Sequence, residues 1–316
     1  MDKFVIAFNY LIVIMSMDRQ IFAQKNSTRH HYIPQFYTKG FTNTSGFVFV
    51  YDKQKDKVSK KEYSPKSIFF EDNRNTIVIE NETSILEDKL FKELDDKCKI
   101  VIQNLRNKPN SESLLNTDNT AGIQFFILSL FWRIPKTDKI FDKYFRKAEI
   151  IFTTKDGNKV HDLIEELRLK NDSSYKKLYR AFLPGKFIKS YLEQSKETYG
   201  QYYVQLFEKS DDLFLLGDYP MAFRMPPATI DDLFQTDFYL PISSNRLFYT
   251  AKKQRELKFD FEKICNLNIL IIDQSHRYVC GPDLFYLEKS VEHYKLLQKK
   301  QLLPYLRNKI FEDKIV

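Results

Sequence analysis

The run Ile123-Gln124-Phe125-Phe126-Ile127-Leu128-Ser129-Leu130-Phe131-Trp132-Arg133 decides the fold of this chain. It predicts a helix that opens at Thr117 and ends near Arg133, because Pro135 disfavours helical geometry in the residue before it. Apolar side chains surround this helix, and a helix with almost no polar face belongs inside a core. We therefore predict a central buried helix against which the other elements pack.

Helical patterns extend from this run in both directions. Towards the amino end, apolar residues recur at three- and four-residue spacing from Leu86 to Leu105, which predicts an amphipathic helix with Thr83 or Ser84 as its N-cap. Towards the carboxyl end, segments rich in Lys, Glu and Leu predict further helices. These segments are residues 137–152, 159–169, 173–182 and 185–197. The middle of the chain, residues 83–198, is therefore predicted to be helical.

Strand-like segments lie on both sides of the helical middle. Residues 46–52 favour a strand and residues 55–63 can return beside them, which predicts an N-terminal hairpin. After residue 199 short apolar runs predict a small antiparallel sheet. These runs are residues 201–208, 213–216, 238–242 and 247–250.

Two helices are predicted to close the chain, one over about residues 259–273 and one that starts at the N-cap Asp283. The predicted fold class is thus α+β. It is mostly helical, with a central buried helix, an N-terminal hairpin and a small antiparallel sheet in the C-terminal third.

The length of 316 residues favours a single large domain over residues 25–316, with the helical middle at 83–198 and a mixed C-terminal part at 199–303. An apolar segment, residues 1–24, precedes this domain. Its run from Phe4 to Met15 resembles a secretory signal, or it precedes the true start of a cytosolic protein at Met15 or Met17. The run is shorter than the about 20 residues of a membrane span, so no transmembrane span is predicted.

The three cysteines, Cys98, Cys265 and Cys280, are far apart and show no C-x-x-C spacing. An odd number of scattered cysteines indicates reduced thiols rather than a disulfide framework. We therefore expect a cytoplasmic protein, with secretion through residues 1–23 as the alternative.

The net charge of +8 biases encounters towards anionic partners. Acidic residues interleave with lysine clusters such as residues 53–57, which is typical of a solvated surface, so nucleic acid or another anionic ligand is a permitted partner and not an indicated one. The eight glycines form neither G-x-G-x-x-G nor G-x-x-x-x-G-K, the loops that cradle nucleotide phosphates. These observations argue against the usual nucleotide-loop folds and leave the oligomeric state open.

Two of the five histidines, His30 and His31, lie in an aromatic-rich segment, residues 29–41. Pro34 and Gly40 discourage an uninterrupted helix there, so an irregular backbone could direct both imidazoles to one point. The functional interpretation makes one histidine a general base or metal ligand that the other orients or supports. The alternative is a structural turn whose imidazoles hydrogen-bond to the backbone.

Four further residues complete the candidate site. Gln35 and Tyr37 are candidates for substrate binding beside the histidines, and Tyr37 also fits the role of an anchoring aromatic. Arg133 could hold a phosphate or carboxylate bidentately, or complement the dipole at the end of its helix. Asp218 could present its carboxylate at a strand end before Tyr219-Pro220, or bond the backbone of its own turn.

Four short motifs follow one another along the chain: residues 30–37 (His-His-Tyr-Ile-Pro-Gln-Phe-Tyr), 133–135 (Arg-Ile-Pro), 216–220 (Leu-Gly-Asp-Tyr-Pro) and 239–243 (Tyr-Leu-Pro-Ile-Ser). In this order they resemble the widespread bacterial family described as domain of unknown function 4238, over roughly residues 29–280. The resemblance implies an intracellular bacterial protein and brings no established activity. Gly217 stands where a serine is common in that family, which argues against a hydroxyl role at this position.

The leading hypothesis is a hydrolase in which His30, His31, Arg133 and Asp218 act on an anionic substrate, with phosphodiester cleavage of the nuclease kind as the chemistry. A histidine would be the base, Arg133 would hold a phosphate, and Asp218 would orient the histidine or bind a divalent metal. No H-E-x-x-H spacing occurs, so the ligands of such a metal stay unidentified. The alternative is a non-catalytic binding or sensing protein, for instance in phage defence, whose His-His-x-x-Pro segment is a structural latch.

Overall fold

The computed structural model describes residues 28–79, 82–85, 91–107, 117–153, 157–193, 201–206, 213–229, 232–233, 236–251 and 260–312. The apolar segment, residues 1–24, lies outside these residues. The described part of the chain is α+β, with small antiparallel sheets. None of its helices combines the length and the apolar character that crossing a bilayer requires.

The helices are α1 (Gln35–Thr38), α2 (Lys92–Asn107), α3 (Thr117–Arg133), α4 (Asp138–Lys147), α5 (Leu163–Asn171), α6 (Ser173–Glu193), α7 (Phe261–Gln274), α8 (Leu284–Lys299) and α9 (Leu303–Phe311). The strands are β1 (Arg29–His31), β2 (Val48–Asp52), β3 (Lys57–Tyr63), β4 (Phe70–Asp72), β5 (Thr76–Ile79), β6 (Glu82–Ile85), β7 (Phe152–Thr153), β8 (Lys159–Val160), β9 (Gln201–Leu206), β10 (Leu216–Gly217), β11 (Ala222–Phe223), β12 (Phe238–Ser243), β13 (Arg246–Ala251) and β14 (Tyr278–Gly281).

The chain divides into two compact units whose segments alternate along the sequence. The first unit contains the described residues of 1–32, 71–98 and 121–193. The second unit contains the described residues of 33–70, 99–120 and 194–316. The boundary between Tyr32 and Ile33 separates the two histidines from the rest of their motif.

The core of the first unit is built on α3. Phe126, Phe131 and Trp132 of this helix are fully buried, as its uninterrupted apolar sequence requires. The Trp132 ring meets the Phe141 ring of α4 edge-on at a centroid distance of 5.8 Å. Phe141 in turn stacks on Phe145 at 5.6 Å. Aromatic contacts of this kind join α3 to α4.

The start of the predicted helix near residue 83 is wrong. Residues 82–85 form β6, which pairs antiparallel with β5, with Thr76 opposite Ile85. Thr83 and Ser84 are therefore strand residues and not helix caps. A β-branched partner strand with the sequence Thr-Ile-Val-Ile favours pairing here, and such tertiary contacts override a weak helix propensity.

The two helices predicted over residues 173–182 and 185–197 are a single helix, α6, which contains Pro184. An interior proline removes one backbone hydrogen bond. The buried Ala181 and Leu183 of the same helix offset that loss by packing. The helix predicted from residue 159 begins at Leu163 instead, because residues 159–160 pair with β7 as β8.

The second unit contains two four-stranded antiparallel sheets. The first has the order β10-β14-β2-β3 and places Val50 opposite Cys280. The second has the order β11-β12-β13-β9. The run 213–216 was predicted in the same sheet as residues 238–250, but its strand residue Leu216 pairs with β14 in the other sheet. The predicted N-cap Asp283 is confirmed, because its carboxylate accepts the backbone N–H of Tyr286 at 2.6 Å.

Candidate functional site

His30 and His31 lie on β1 and are buried, with 0% and 7% of their surface exposed. Nδ1 of His30 accepts the backbone N–H of Asn75 at 2.7 Å. A ring nitrogen that accepts carries no proton, so the neutral ring holds its proton on Nε2. A general base must reach the proton that it removes. A buried imidazole that is hydrogen-bonded to the backbone supports the interpretation of this segment as a structural latch rather than as part of a catalytic site.

Arg133 ends α3 in the same unit and is buried. Its Nη1 pairs with Oδ1 of Asp95 at 2.5 Å, and its Nη2 donates to the carbonyl oxygen of His31 at 3.0 Å. The guanidinium carbon lies 4.6 Å from the centre of the Phe91 ring. The structure thus joins Arg133 to the histidine strand through a backbone carbonyl. Its charge is balanced by Asp95, a residue for which the sequence pattern gave no functional signal.

Arg74 continues this network from the loop that follows β4. Its Nε donates to the carbonyl oxygen of Arg133 at 3.1 Å. Its guanidinium also pairs with Glu71 and with Asp138, each at 2.7 Å. Burial acts to lower the pKa of Arg74, but the hydrogen bonds and charges of the two carboxylates outweigh burial and raise this pKa.

Arg180 of α6 shares the Asp138 carboxylate with Arg74. Its Nε donates to the carbonyl oxygen of Trp132, and its Nη2 donates to that of Ile134 at 3.3 Å. Burial, and next the positive charge of Arg74, lower the pKa of Arg180 to about 10. A single carboxylate therefore lies between two guanidinium groups.

These groups line a pocket of about 460 Å³ in the first unit, which we call the arginine pocket. Its wall combines cationic, acidic and apolar side chains. The cationic residues are Arg74, Arg133, Lys176, Lys177 and Arg180, and the acidic ones are Glu71, Asp72, Asp138 and Asp142.

Two lysines of α6 add to the positive charge of the arginine pocket. Lys177 Nζ donates to the backbone carbonyls of Asn73 and Thr76, at 3.2 and 2.9 Å. Burial, and next the charge of Arg74, lower the pKa of Lys177. Lys176 pairs with Asp142 at 2.6 Å. The positive charge of Arg74 thus acts on both Lys177 and Arg180, in addition to the effect of burial.

An aromatic ring supports these cations. The Arg180 guanidinium carbon lies 5.2 Å and Lys176 Nζ lies 6.0 Å from the centre of the Phe141 ring. Cation–π contacts of this kind fix long side chains that would otherwise sample many rotamers. The cationic wall of the arginine pocket is therefore largely organised before any ligand binds.

Ser129 of α3 also lines the arginine pocket. Its side chain is buried, with 5% of the residue exposed, and Oγ has no hydrogen-bond partner among the described residues. Sequence reasoning treated Ser129 as part of an apolar helix. A hydroxyl within a run of large apolar residues was the one signal that could have drawn attention to it.

Asp218 lies in the second unit and holds a turn in place. Its carboxylate accepts the backbone N–H groups of His276, Arg277 and Tyr278 at 2.7, 2.7 and 2.9 Å. Burial raises the pKa of Asp218, and these hydrogen bonds oppose that rise. The carboxylate thereby connects the segment after β10 to the segment between α7 and β14.

The predicted substrate-binding residues Gln35 and Tyr37 lie on α1, also in the second unit. Tyr37 is fully buried and its hydroxyl donates to the carbonyl oxygen of Pro241. Burial raises the pKa of this hydroxyl above its ordinary value. These contacts match the anchoring role that was the alternative for Tyr37. Gln35 is half-buried at the start of the helix.

Arg106 of α2 is a structural residue of the second unit that sequence reasoning missed. Its guanidinium donates to the carbonyl oxygens of Ile242, Phe36 and Tyr37 at 2.7, 3.1 and 2.8 Å. Burial lowers the pKa of Arg106 to about 10. Its position near the end of an amphipathic helix gave no sign of three carbonyl partners from distant segments.

Across the part of the chain that the structure describes, no three His, Cys, Asp or Glu side chains cluster closely enough to hold a metal ion. The binding of a divalent metal, which the sequence analysis considered, therefore stays a prediction. The structure brings His30, His31 and Arg133 into the first unit and places Gln35, Tyr37 and Asp218 in the second.

Comparison with known proteins gives one match. Residues 29–283 match the family model described as "Protein of unknown function (DUF4238)". No curated protein matches the chain, and no solved structure matches it. The match covers most of the chain and all four motifs that carried the resemblance.

Proposed function

This chain belongs to the DUF4238 family, and we propose that its function is to bind an anionic ligand in the arginine pocket. The observation that carries this proposal is that Arg74, Lys177 and Arg180 line one pocket, where burial first, and the charge of Arg74 next, lower the pKa of Lys177 and of Arg180. An anion that enters would relieve this repulsion, and guanidinium groups suit the oxygens of phosphate or carboxylate.

The acidic residues of the pocket do not remove the need for an anion. Glu71 pairs with Arg74, Asp138 is shared by Arg74 and Arg180, and Asp142 pairs with Lys176. The hydrogen bonds of Lys177 go to two backbone carbonyls, which carry only partial charge. The network therefore holds the cations in place, and among the described residues it gives Lys177 no carboxylate partner, so the Lys177 ammonium is the group that we propose meets the anion.

Anion binding is common to both functions expected from the sequence. Phosphodiester hydrolysis needs a bound phosphate, and a binding or sensing protein needs the same contact without the chemistry. The buried His30 favours the second function, so we propose binding as the activity and keep cleavage, nucleic acid as partner and a role in phage defence as predictions. We also propose a cytoplasmic location, which the free thiols of Cys98, Cys265 and Cys280 support.

Calorimetric titration with inorganic phosphate and with AMP tests the proposal. We expect binding that weakens as the salt concentration rises, because salt screens charge–charge attraction. Arg180→Gln should lower the affinity about 10- to 100-fold, the range for a lost hydrogen bond to a charged group. Lys177→Gln, on the same helix, should also lower the affinity. This second variant keeps the proposal testable if Arg180→Gln does not fold.

The matched control is Arg168→Gln, which changes an arginine of the same unit. Arg168 pairs with Glu165 at the surface, with 62% of its side chain exposed. This variant should bind like the wild type. Equal affinities of wild type, Arg168→Gln, Lys177→Gln and Arg180→Gln, or no binding by any of them, would refute anion binding in the arginine pocket.

The predicted cleavage activity has its own assay. Labelled single-stranded DNA and RNA are incubated with the protein, with and without Mg²⁺ or Mn²⁺. Cleavage that disappears in Arg180→Gln and survives in Arg168→Gln would add hydrolysis to the proposed function. Intact substrates under all conditions would leave binding as the activity and remove these nucleic acids as substrates.

A further inference from the structure

A second pocket lies in the second unit, between the carboxyl ends of α7 and α8 and the helix α9, and we call it the α7–α9 pocket. Its volume of about 420 Å³ falls in the range of roughly 300–1,000 Å³ that is typical of sites for small organic molecules. Asp273 of α7 and Arg307 of α9 both line it, and both are only half-buried. The pocket therefore offers a ligand one negative and one positive group.

These two opposite charges do not bond to each other. Within the residues that the structure describes, Asp273 and Arg307 form no ion pair, and the Asp273 carboxylate accepts no hydrogen bond. Burial lowers the pKa of Arg307, and the charge of Asp273 acts in the opposite direction. The two groups are thus near enough to interact and too far apart to bond directly, so that a ligand between them can bond to both.

The other contacts of the two charged groups do not neutralise them. Arg307 Nη1 donates to the carbonyl oxygen of Phe223, which carries only a partial charge. Lys53, the other cation on which the charge of Asp273 acts, donates instead to three backbone carbonyls of residues 272–275, at 2.6 to 3.1 Å. The dipole of α7 disfavours a carboxylate in its last turn. The helix itself therefore gives no reason for an acidic residue at position 273.

Gln301 also lines the α7–α9 pocket, and its backbone is in the left-handed region with a φ of 58°. Its N–H donates to the carbonyl oxygen of Gln298 at 3.0 Å, and the N–H of Leu302 donates to that of Leu297 at 2.9 Å. Glycine is the usual residue at a helix end with these hydrogen bonds, because a side chain is strained in that conformation. What glutamine adds to this turn is an exposed side-chain amide at the pocket wall, which can hydrogen-bond to a polar ligand.

We infer that the α7–α9 pocket binds a free α-amino acid with an apolar side chain, whose carboxylate meets Arg307 and whose ammonium group meets Asp273. Two unlike charges in one pocket favour a zwitterion, since a simple anion or cation would leave one of the two protein charges unpaired. The half-buried Leu303 and the exposed Pro304 provide apolar surface for the side chain of the ligand. This site belongs to a different unit from the arginine pocket, and the inference does not depend on the proposed anion binding.

The experiment compares an amino acid with two analogues that each lack one of its charges. The probes for calorimetric titration are L-leucine, N-acetyl-L-leucine, which has no ammonium group, and L-leucinamide, which has no carboxylate. We expect leucine to bind about 10- to 100-fold more tightly than either analogue, the range for one lost hydrogen bond between charged groups.

Two variants assign the charges of the ligand to the two residues. Asp273→Asn should weaken the binding of leucine about 10-fold and leave the binding of N-acetyl-L-leucine unchanged, because that analogue has no ammonium group to lose its partner. Arg307→Gln should weaken the binding of leucine and leave that of L-leucinamide unchanged. If Arg307→Gln does not fold, Asp273→Asn still decides the question.

Glu262→Gln and Lys309→Gln are the matched controls, since these residues lie on the same two helices and pair with each other at the surface, with 65% and 59% of their side chains exposed. Both variants should bind leucine like the wild type. The inference is wrong if leucine does not bind, if it binds no more tightly than its two analogues, or if Asp273→Asn binds it as tightly as Glu262→Gln does.

Discussion

Some buried polar side chains have a hydrogen-bond partner and others do not. His30 and Ser129 are examples of the two cases. His30 Nδ1 receives the N–H of Asn75 at 2.7 Å, so loss of the imidazole leaves a backbone donor without its acceptor. Ser129 Oγ has no partner among the described residues, so loss of its hydroxyl leaves nothing unsatisfied in the unliganded protein. At the residue scale, the loss of stability on substitution therefore separates polar groups that hold the structure together from those that do not.

We expect His30→Ala to destabilise the protein by about 2–4 kcal/mol, since it creates a cavity and leaves an unpaired amide. His30→Asn should cost less, because the asparagine side-chain oxygen can accept the same N–H. Urea denaturation of both variants measures these differences in the free energy of unfolding.

The catalytic interpretation makes the opposite prediction for the same residue. If His30→Ala unfolds at the wild-type urea concentration but loses an activity that the wild type has, the structural latch is wrong and a catalytic role of His30 returns. The exposed His276 provides the control, because replacing its side chain should leave the free energy of unfolding nearly unchanged.

At the scale of elements, α5 is fixed by one carboxylate. Glu166 is buried, with 8% of its side chain exposed, and pairs with Lys170 and with His161, each at 2.5 Å. It also accepts the backbone N–H of Ile150 at 3.4 Å. Burial acts to raise the pKa of Glu166, but these hydrogen bonds and the charge of Lys170 outweigh it and lower the pKa below 4.5.

The lowered pKa of Glu166 predicts how stability depends on pH. Because the folded state binds this proton less readily than the unfolded state, the stabilisation is complete above the unfolded pKa and is lost as the pH falls through the folded pKa. Glu166→Gln should therefore be less stable than the wild type at pH 7, and the difference should shrink as the pH falls below about 4.5. Guanidinium chloride denaturation at a series of pH values measures the difference.

The exposed Glu165 supplies the control for this prediction. It pairs with Arg168 at the surface of the same helix, so Glu165→Gln should leave the stability nearly unchanged at pH 7. A difference between wild type and Glu166→Gln that stays constant from pH 7 to below the folded pKa would contradict the assignment of the effect to this carboxylate.

At the scale of the whole molecule, the alternation of the two units along the chain makes residues far apart in sequence depend on one another. In the second unit, Arg106 joins α1 to the carbonyl oxygen of Ile242. Gly40 lies against this guanidinium, and a Cβ at position 40 would stand 2.1 Å from Arg106 Nη2. The glycine is therefore required by close approach and not by an unusual backbone angle.

Gly40→Ala should lower the free energy of unfolding by about 1–3 kcal/mol, because the guanidinium must move away from its carbonyl partners. Gly185→Ala is the matched control, since position 185 lies within α6 and a Cβ added there would meet no atom within 4 Å. It should raise the stability by about 0.5–1 kcal/mol through helix propensity. Chemical denaturation measures both variants, and equal stabilities would refute the packing argument.

The local sequence pattern predicted some elements of the fold correctly and others wrongly. The apolar run before Arg133 predicted the bounds of α3, and Asp283 was identified as an N-cap, because both depend on neighbouring residues only. Residues 82–85 were assigned to a helix because their strand partner, β5, could not be recognised from periodicity. The candidate site was predictable only in part: Arg133 was a candidate from the sequence and lines the arginine pocket, whereas Arg180, which also lines it, carried no local signal.

By itself the sequence determined the family, the α+β class and the position of the buried helix, since motif order, composition and apolar spacing are properties of the chain alone. Tertiary structure decided which groups meet. It joined His30 to the backbone N–H of Asn75, bound Asp218 to a distant turn and brought Arg74 and Arg180 to the carboxylate of Asp138. The physical reason is that burial, pKa and hydrogen bonding depend on neighbours in space, and in this chain those neighbours come from segments far apart in sequence.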